Sequence, residues 1–442
     1  MKETEAEEKK EKKGMTEICH DIAESLMKLY NFKTIVGKKD DEIWVYDNGI
    51  YKPIGKNVIK AKVEMKLSSI CKTHNVNEVI NKIARRTQIT REKFICKDIN
   101  LVCVNNGVLN LKTRELSPHA PDYNFTNKVP IDYVKKVQCD KIFEFLNDVI
   151  IEEDVDCIQE WFGYQLYREY FIKKSAIFRG IPDTGKTTFI NLLIAFIGED
   201  NISSVNLQSL AQGKWYVTQL HNKYANVCDD LSEKDIVDSG TFKQVTGRSP
   251  IQAEFKFGDQ FQFVNYAKLT FACNKVPEIK TNVDDEAYWN RWMIFDFENV
   301  FNKSSGNVDT HMINKLLVSK ELSGLLNWAL DGLDRLMKKN FFSYRRDWEE
   351  NRRIMQGEAS SVAKYVHDCL INETEAWISN EELYDKYQKY CNLNGISAIE
   401  THRKFYLDMR NYCNYGKFNS NKNNVFGVRN VKIRSPLPIM GL

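Results

Sequence analysis

The chain has no C-x-x-C pair among its eleven cysteines, and their number is odd. That excludes a zinc ribbon of the usual spacing and argues against a disulfide framework, so a reducing cytosol is expected. Cys228 and Cys273 sit inside apolar runs and read as small buried hydrophobes. No apolar run approaches the roughly 20 residues that span a bilayer, so no membrane partner is expected. The first residues alternate Glu and Lys, unlike a signal peptide. Neither sign of charge dominates: the formal net charge is +3 over 442 residues. The distribution says more. Residues 401–442 carry eight Lys/Arg and one acid, Asp408, which suits either a polyanion or a solvated surface tail.

What is present is a soluble, globular composition, 43% hydrophobic and 28% charged. The pattern along the chain divides it into a charged, low-complexity tail (1–15) expected to be disordered, an α+β N-terminal domain (16–136) and a helical segment (137–172). A core of strand, glycine loop and helix (173–300), a helical lid or connector (301–356) and a C-terminal module (357–442) follow. In the N-terminal domain Ile43–Tyr46 reads as a strand entering the turn Asp47-Asn48-Gly49. Leu101–Val104 and Val108–Leu111 flank Asn105-Asn106-Gly107, where Asn-Gly is expected to supply the positive φ of a hairpin turn. There is no D-x-D pair in this domain. A polymerase-type primase centre needs paired carboxylates for two metals, so the domain is structural, or serves recruitment or DNA binding.

The sharpest signal is Gly180-Ile181-Pro182-Asp183-Thr184-Gly185-Lys186-Thr187, a G-x-x-x-x-G-K-T run. An apolar strand (175–179) precedes it, and Thr188–Phe196 continues as an apolar helix. The glycines let successive backbone N–H groups turn toward one phosphate chain, and the helix N-terminus adds positive potential. Lys186 would reach the β and γ phosphates of ATP; the Thr187 hydroxyl would ligate Mg²⁺. Such a loop binds nucleotide without saying for which task.

Lys223–Cys228 reads as a strand ending in Asp229-Asp230. Carboxylates at a strand tip suit Mg²⁺ coordination and orientation of the attacking water. Asp229 is assigned to the metal and Asp230 to water, with the exchange of the two left open. Apolar residues then alternate through Ile251, Ala253, Phe255, Phe257, Phe261 and Phe263. A three-residue loop, Gly258-Asp259-Gln260, would pair Phe257 with Phe261 and Phe255 with Phe263. Lys256 would face the other way, as a DNA-phosphate contact or as an ordinary surface lysine. Lys268–Cys273 is a further strand, ending in Asn274, whose amide suits a γ-phosphate and the hydrolytic water. Arg291 follows in Asp284–Trp292, as an arginine finger or as a surface ion pair.

This order of parts resembles the superfamily 3 helicase core of phage and plasmid primase-helicases, which poxvirus primase-helicases also resemble. The residues that carry the resemblance are the phosphate loop, the acidic tip at 229–230, "V-T-G" at 245–247, the hairpin, "K-L-T-F-A-C-N-K-V-P" at 268–277 and "D-D-E-A-Y-W-N-R-W" at 284–292. "W-F-G-Y-Q-L" at 161–166 and "N-N-G-V-L-N-L" at 105–111 are similar to segments upstream of that core. The resemblance implies an α/β, AAA+-type P-loop motor, hexameric on single-stranded or forked DNA and driven by ATP and Mg²⁺. It implies catalytic roles for Lys186, Asp229, Asp230, Asn274 and a trans-acting Arg291, and a DNA-contacting hairpin at Ile251–Phe263. Residues Gly180 to Thr188 would bind the nucleotide.

Three departures stand out. Arg248-Ser249 replaces the usual acid after "T-G", Asn290 replaces the first of two arginines, and no primase catalytic motif lies upstream. A separate primase is one implied partner. Replication of a phage, virus or plasmid in the host cytoplasm is the implied setting. An origin-binding initiator or loader without processive unwinding is the alternative reading.

In the C-terminal module three stripes read as helices: Val362, Val366, Cys369 and Leu370; Leu383, Tyr387, Tyr390 and Cys391; Phe405, Met409, Tyr412 and Cys413. Ser379 and Glu382 form a capping box for the second. Arg403, Lys404 and Arg410 lie off the third stripe as DNA-contact candidates. Val425–Val428 and Val431–Arg434 would form a two-stranded wing, so a winged-helix module or a helical buttress is expected.

Overall fold

The computed structural model describes residues 14–37, 40–91, 93–229, 231, 239–254, 260–274, 276, 285–301, 309, 311–359, 361–396, 398–399, 401–410, 412–413, 415–420 and 423–438. The disordered tail expected at the N-terminus therefore lies outside the described residues up to position 13. So do Asp230, Lys256 and Asp284. Two compact units divide the chain, 1–135 and 136–442.

The first unit contains α1 (Met15–Leu29), β1 (Phe32–Ile35), β2 (Glu42–Asp47), β3 (Ile50–Lys52), α2 (Gly55–Leu67), α3 (Thr73–Arg86) and β4 (Gln88–Ile89). The four strands order as β3-β2-β1-β4. The helices bury Cys19, Ile22, Leu26, Ile59, Val63, Val79 and Ile83 against Phe32, Ile43 and Val45. The β2–β3 turn is Asn48-Gly49, with φ of 49° and 95°, the left-handed pair a tight hairpin needs.

A meander of β5 (Leu101–Val104), β6 (Gly107–Asn110) and β7 (Leu116–Ser117) follows. Here the expected turn differs. Val104 pairs with Gly107, so Asn105-Asn106 forms the turn, and neither asparagine is left-handed. Gly107 opens β6 instead; a Cβ there would meet Ser117 O at 2.5 Å. The glycine serves the close approach of β7 rather than the turn.

The second unit opens with α4 (Asp140–Val149) and α5 (Val155–Gln165). Then come β8 (Ser175–Arg179), α6 (Lys186–Ile197), β9 (Ile202–Ser203), α7 (Leu207–Leu210), α8 (Lys214–Thr218), β10 (Ala225–Cys228), α9 (Ser239–Val245), β11 (Pro250–Glu254), β12 (Gln260–Val264), β13 (Lys268–Cys273), α10 (Glu286–Trp289) and β14 (Trp292–Asp296). Strands β14-β8-β13-β10-β9 form one sheet, with all four pairings parallel. Strands β8, β13 and β10 are buried almost throughout, as expected where helices cover both faces. All five strand ends therefore share one edge, and β8 is where the connections diverge to opposite sides. Ligands of such sheets bind at that divergence, outside the carboxyl ends.

Helices α11 (Met312–Leu316) and α12 (Ser319–Lys339) follow β14 and return to α4, α5 and α6. The crossing of α5 and α12 is close because glycine lies in it. A Cβ on Gly163 would meet Ala329 O at 2.2 Å, and one on Gly332 would meet Gln159 O at 2.5 Å. Fully buried Glu160 locks the pair: it accepts from Arg335 Nε at 2.7 Å and from Ser343 N at 2.6 Å. The Glu321 carboxylate accepts from Ile142 N at 3.1 Å, at the start of α4. Beyond α12, Tyr344 and Asn351 cover the open edge of β14. Ile294 N donates to Tyr344 Oη at 2.8 Å, and Asn351 Nδ2 donates to Trp292 O at 2.8 Å. Side chains thus satisfy the edge groups that another strand would otherwise seek.

The remaining elements are α13 (Trp348–Ala359), α14 (Ser361–Cys369), β15 (Leu370–Ser379), α15 (Asn380–Leu393), α16 (His402–Met409), β16 (Tyr415–Ser420) and β17 (Asn423–Ile433). All three expected helical stripes face one core with Ile378 and Val428. Glu382 N donates to the Ser379 hydroxyl at 3.3 Å, the N-cap read from the sequence. The sheet departs from expectation. Residues 425–433 lie on one strand, β17, and the hairpin partner is β16, with Ser420 opposite Asn423. The break expected at Arg429-Asn430 is absorbed by a bulge: Asn430 has a φ of 59°, and the register against β15 shifts between Asn372 and Trp377. β15 is a third strand that the sequence reading lacked.

Candidate functional site

The phosphate loop leaves β8 at the divergence point. Asp183 and Gly185 have φ of 64° and 83°, and Gly185 caps α6, which begins at Lys186. A Cβ on Gly180 would meet Phe297 O at 2.4 Å, and one on Gly185 would meet Val149 Cγ1 at 2.7 Å. Both glycines are thus fixed by close packing as well as by the turn. Gly180 N donates to Cys273 O at 3.3 Å, and Phe301 N donates to Asp183 O at 2.8 Å. These bonds tie the loop to the neighbouring strand tip and to the segment after β14.

Lys186 Nζ donates to Gly180 O at 2.5 Å, Ile181 O at 2.7 Å and Thr184 Oγ1 at 3.2 Å. Among the described residues, the hydrogen-bond acceptors of this ammonium are neutral oxygens of its own loop. Burial lowers its pKa, which Cys273 and Asp183 only partly oppose.

Loop and strand tips line one cavity of about 540 Å³, within the usual size of a small-molecule site. It is lined by Pro182 to Thr188, Asp229, Cys273 and Asn274. Thr187, Asp229 and Asn274 are exposed into solvent. Because the strands are parallel, Asn274 at the end of β13 sits one strand from the loop's own strand, and Asp229 at the end of β10 two strands away. That is about 5 and 10 Å across the sheet. Of the expected residues, the structure therefore brings Lys186, Thr187, Thr188, Asp229 and Asn274 together. Ile181 and Gly180 belong to the loop but do not line the cavity.

The far wall was not foreseen. Phe145 and Asp148 of α4, Phe301, Asp309 and Met312 of α11 complete the lining. Phe145 shares the apolar face of α4 with Ile142 and Val149, a pattern that signals burial but not a ligand. Asp309 is paired with Lys315 at 2.6 Å.

Arg291 lies elsewhere. It precedes β14, and its carbonyl accepts from Ser175 N at 2.6 Å, at the opposite sheet edge from the loop. Its Nε donates to Thr246 Oγ1 at 2.9 Å, and its guanidinium also donates to Ala287 O. The strand between the two edges is five residues long, about 16 Å. Arg291 therefore lies at the far end of the strands from the phosphate loop of its own chain. It lines a second cavity, of about 590 Å³, with Lys173, Asp285, Glu286 and Asn290. Asn290, where an arginine was expected, accepts from Lys174 Nζ at 3.0 Å. Arg248 pairs with Glu169 at 3.0 Å.

The hairpin register differs from the one expected. Ile251 pairs with Phe263 and Ala253 with Phe261, and the last described pair is Glu254 with Gln260. Residues 255–259, Phe255, Lys256 and Phe257 among them, lie outside the described residues. The shift is four residues, so face assignment survives. Burial decided it: Ile251 and Ala253 are 3% and 0% exposed, and burying them fixes the strand start more firmly than aromatic pairing at the tip. Phe261 and Phe263 instead flank His221, with ring centroids 4.9 and 5.1 Å away.

In the C-terminal module, Phe405 and Met409 point into the core. Arg403 and Lys404 on α16, and Arg410 just after it, are exposed.

Two family models match parts of the chain. One, described as a family of unknown function (DUF5906), matches residues 178–291; the other, described as D5 N terminal like, matches residues 5–151. A protein of Acanthamoeba polyphaga mimivirus named "Putative helicase L207/L206" is 21% identical over 361 residues. That covers 73% of this chain, and the chain spans 36% of the relative's length. Solved structures of the NrS-1 C-terminal region, in an A form and as residues 305–718, are 12% identical with a TM-score of 0.47, over 92% of this chain and 98% of theirs. Among the described residues no helix is long and apolar enough to cross a membrane.

Proposed function

We propose that this chain is an ATP-dependent DNA helicase of the superfamily 3 type, a P-loop AAA+ motor acting in replication of a mobile element. One observation carries the reading: the phosphate loop, an acidic strand tip and an amide strand tip line a single cavity at the divergence point of a parallel sheet. The intervening strand β13 sets Asn274 between Lys186 and Asp229. That is the spacing a motor needs, with phosphate held on one side, water oriented on the other and a sensor between. The name of the mimivirus relative points the same way.

The residues fit MgATP. Lys186 would exchange the loop carbonyls for β and γ oxygens. Thr187 and Asp229 offer oxygen ligands to Mg²⁺, which when bound neutralises charge building on the transferred phosphoryl group. Asn274 orients the attacking water, and Asp230 or Asp229 polarises it. Arg291, remote from its own loop, serves the nucleotide of a neighbouring copy in a ring, a hexamer in this reading. The helix–strand–helix–helix–strand–strand order of residues 361–433 supports reading the module as a winged helix. It would present Arg403, Lys404 and Arg410 to duplex DNA.

Strand displacement on a forked substrate tests the reading. Wild-type chain should displace the strand with MgATP, and Lys186→Ala should not. Single-strand-stimulated hydrolysis with no displacement would favour an initiator or loader instead. Full hydrolysis by Lys186→Ala would remove the site assignment itself.

A further inference from the structure

We propose that the outer face of the C-terminal sheet is a second, separate DNA site. There Trp377 stacks on a base of single-stranded DNA, and Arg429, Lys432 and Arg434 hold its phosphates. The register fixes the face. Trp377 lies opposite Arg429, Ile378 opposite Val428, and Ser379 opposite Gly427. Ile378 and Val428 are 5% and 0% exposed, turned toward the helices. Successive side chains alternate across a strand, so Trp377 and Arg429 stand on the other side.

Trp377 is 43% exposed, an unusual fate for a residue that normally buries most of its surface. In the next row Ser379, Gly427 and Gly416 lie side by side, and Gly427 is itself buried, its Cβ position filled by Ile378 O at 2.0 Å. The two glycines put no bulky side chain beside the exposed indole, whose face is left to a planar base.

The bulge supplies the charge alignment. Asn430 and Glu375 have φ of 59° and 68°, and Glu375 N donates to Asn430 Oδ1 at 3.3 Å. This inserted residue resets the alternation, so Val431 and Ile433 pack toward the core while Lys432 joins Arg429 on the outer side. Arg434 continues the row. All three cations are exposed. The acids of this face are Glu373, paired with Lys432, and Glu375. Residues 401–442 carry eight Lys/Arg and one acid, Asp408, so the cations of this face sit in the basic part of a module that is otherwise acidic.

Aromatic stacking next to a cationic track recognises single strands, whose bases offer a free π-face; duplex bases do not. The face therefore differs in ligand from α16, and it does not depend on the ATP site.

Quenching of intrinsic tryptophan fluorescence by short oligo(dT), in the full chain without nucleotide, tests this directly. Of the chain's eight tryptophans, Trp215 and Trp377 are the strongly exposed ones among the described residues. Trp377→Phe should remove most of the quench, and Trp377→Ala should weaken oligo(dT) binding roughly five- to hundredfold. Arg429→Gln should reduce the slope of log affinity against log salt by about 0.7. Trp215→Phe and Lys186→Ala should keep the Trp377 quench, the latter whether or not the chain is an ATPase. Unchanged quench and affinity in Trp377→Phe and Trp377→Ala would overturn the proposal. So would quenching by a duplex hairpin but not by oligo(dT).

Discussion

Asp296 joins the strand that leads into the phosphate loop to the segment after α12, and its loss has a calculable cost. It closes β14 beside Arg179, the residue before the phosphate loop, and pairs with both Arg179 and Arg346. The three side chains are 11%, 17% and 10% exposed. Asp296→Asn keeps the shape but leaves two guanidinium groups without their shared counter-charge. Breaking a buried pair on one side costs about 3–5 kcal/mol. For a unit of this size that is a fall in Tm of about 5–8 °C.

The pH dependence has a definite sign. Burial pushes the Asp296 carboxyl up, but Arg179 and Arg346 outweigh it and hold the group below the usual carboxylate range. A depressed carboxylate stabilises the fold above its unfolded pKa, near 3.9, and that stability drains away as pH falls through the folded value. The gap between wild type and Asp296→Asn should be full at pH 7 and close below about pH 4. Thermal denaturation followed by circular dichroism at both pH values reads this. A variant melting within a degree of wild type at pH 7, or a gap unchanged at low pH, would refute the pairing argument.

Other outcomes follow from the same geometry. Mixing Arg291→Ala chains with Lys186→Ala chains should restore part of the ATPase activity that each lacks alone; no rescue at any ratio would leave Arg291 as a structural partner of Thr246. Asn274→Ala should lower turnover about 10²–10³-fold, the typical loss for one positioned polar donor, with nucleotide affinity nearly kept. An equal loss in affinity and turnover would make Asn274 a binding group.

The phosphate loop was legible because all its parts are contiguous: an apolar strand, a glycine turn and an apolar helix read in one pass. The tips at Asp229 and Asn274 were legible because parallel strands must end on one edge. The rest depends on contacts between distant residues. That α12 packs on α5 and on α4, the helix that lines the cavity, rests on Glu321 with Ile142 and on Glu160 with Arg335, pairs more than 170 residues apart. No local pattern reports such pairs. Phe145 and Met312 entered the cavity wall for the same reason. The hairpin slipped by four residues because periodicity fixes the face but not the register; the buried Ile251 and Ala253 chose it. The wing was misplaced because a bulge at Asn430 looks, in sequence, like a turn. β15 was missed because Asn372–Ala376 is polar and lacks a strand's alternation.

The account stands on a single pocket shared by Lys186, Asp229 and Asn274. The most direct measurement is phosphate release from MgATP by Asp229→Asn, with ATP affinity measured in parallel. The chain described here should lose about a thousandfold in turnover and keep affinity within a few-fold. Turnover equal to wild type would mean that the acid at the end of β10 takes no part in the chemistry of the loop beside it.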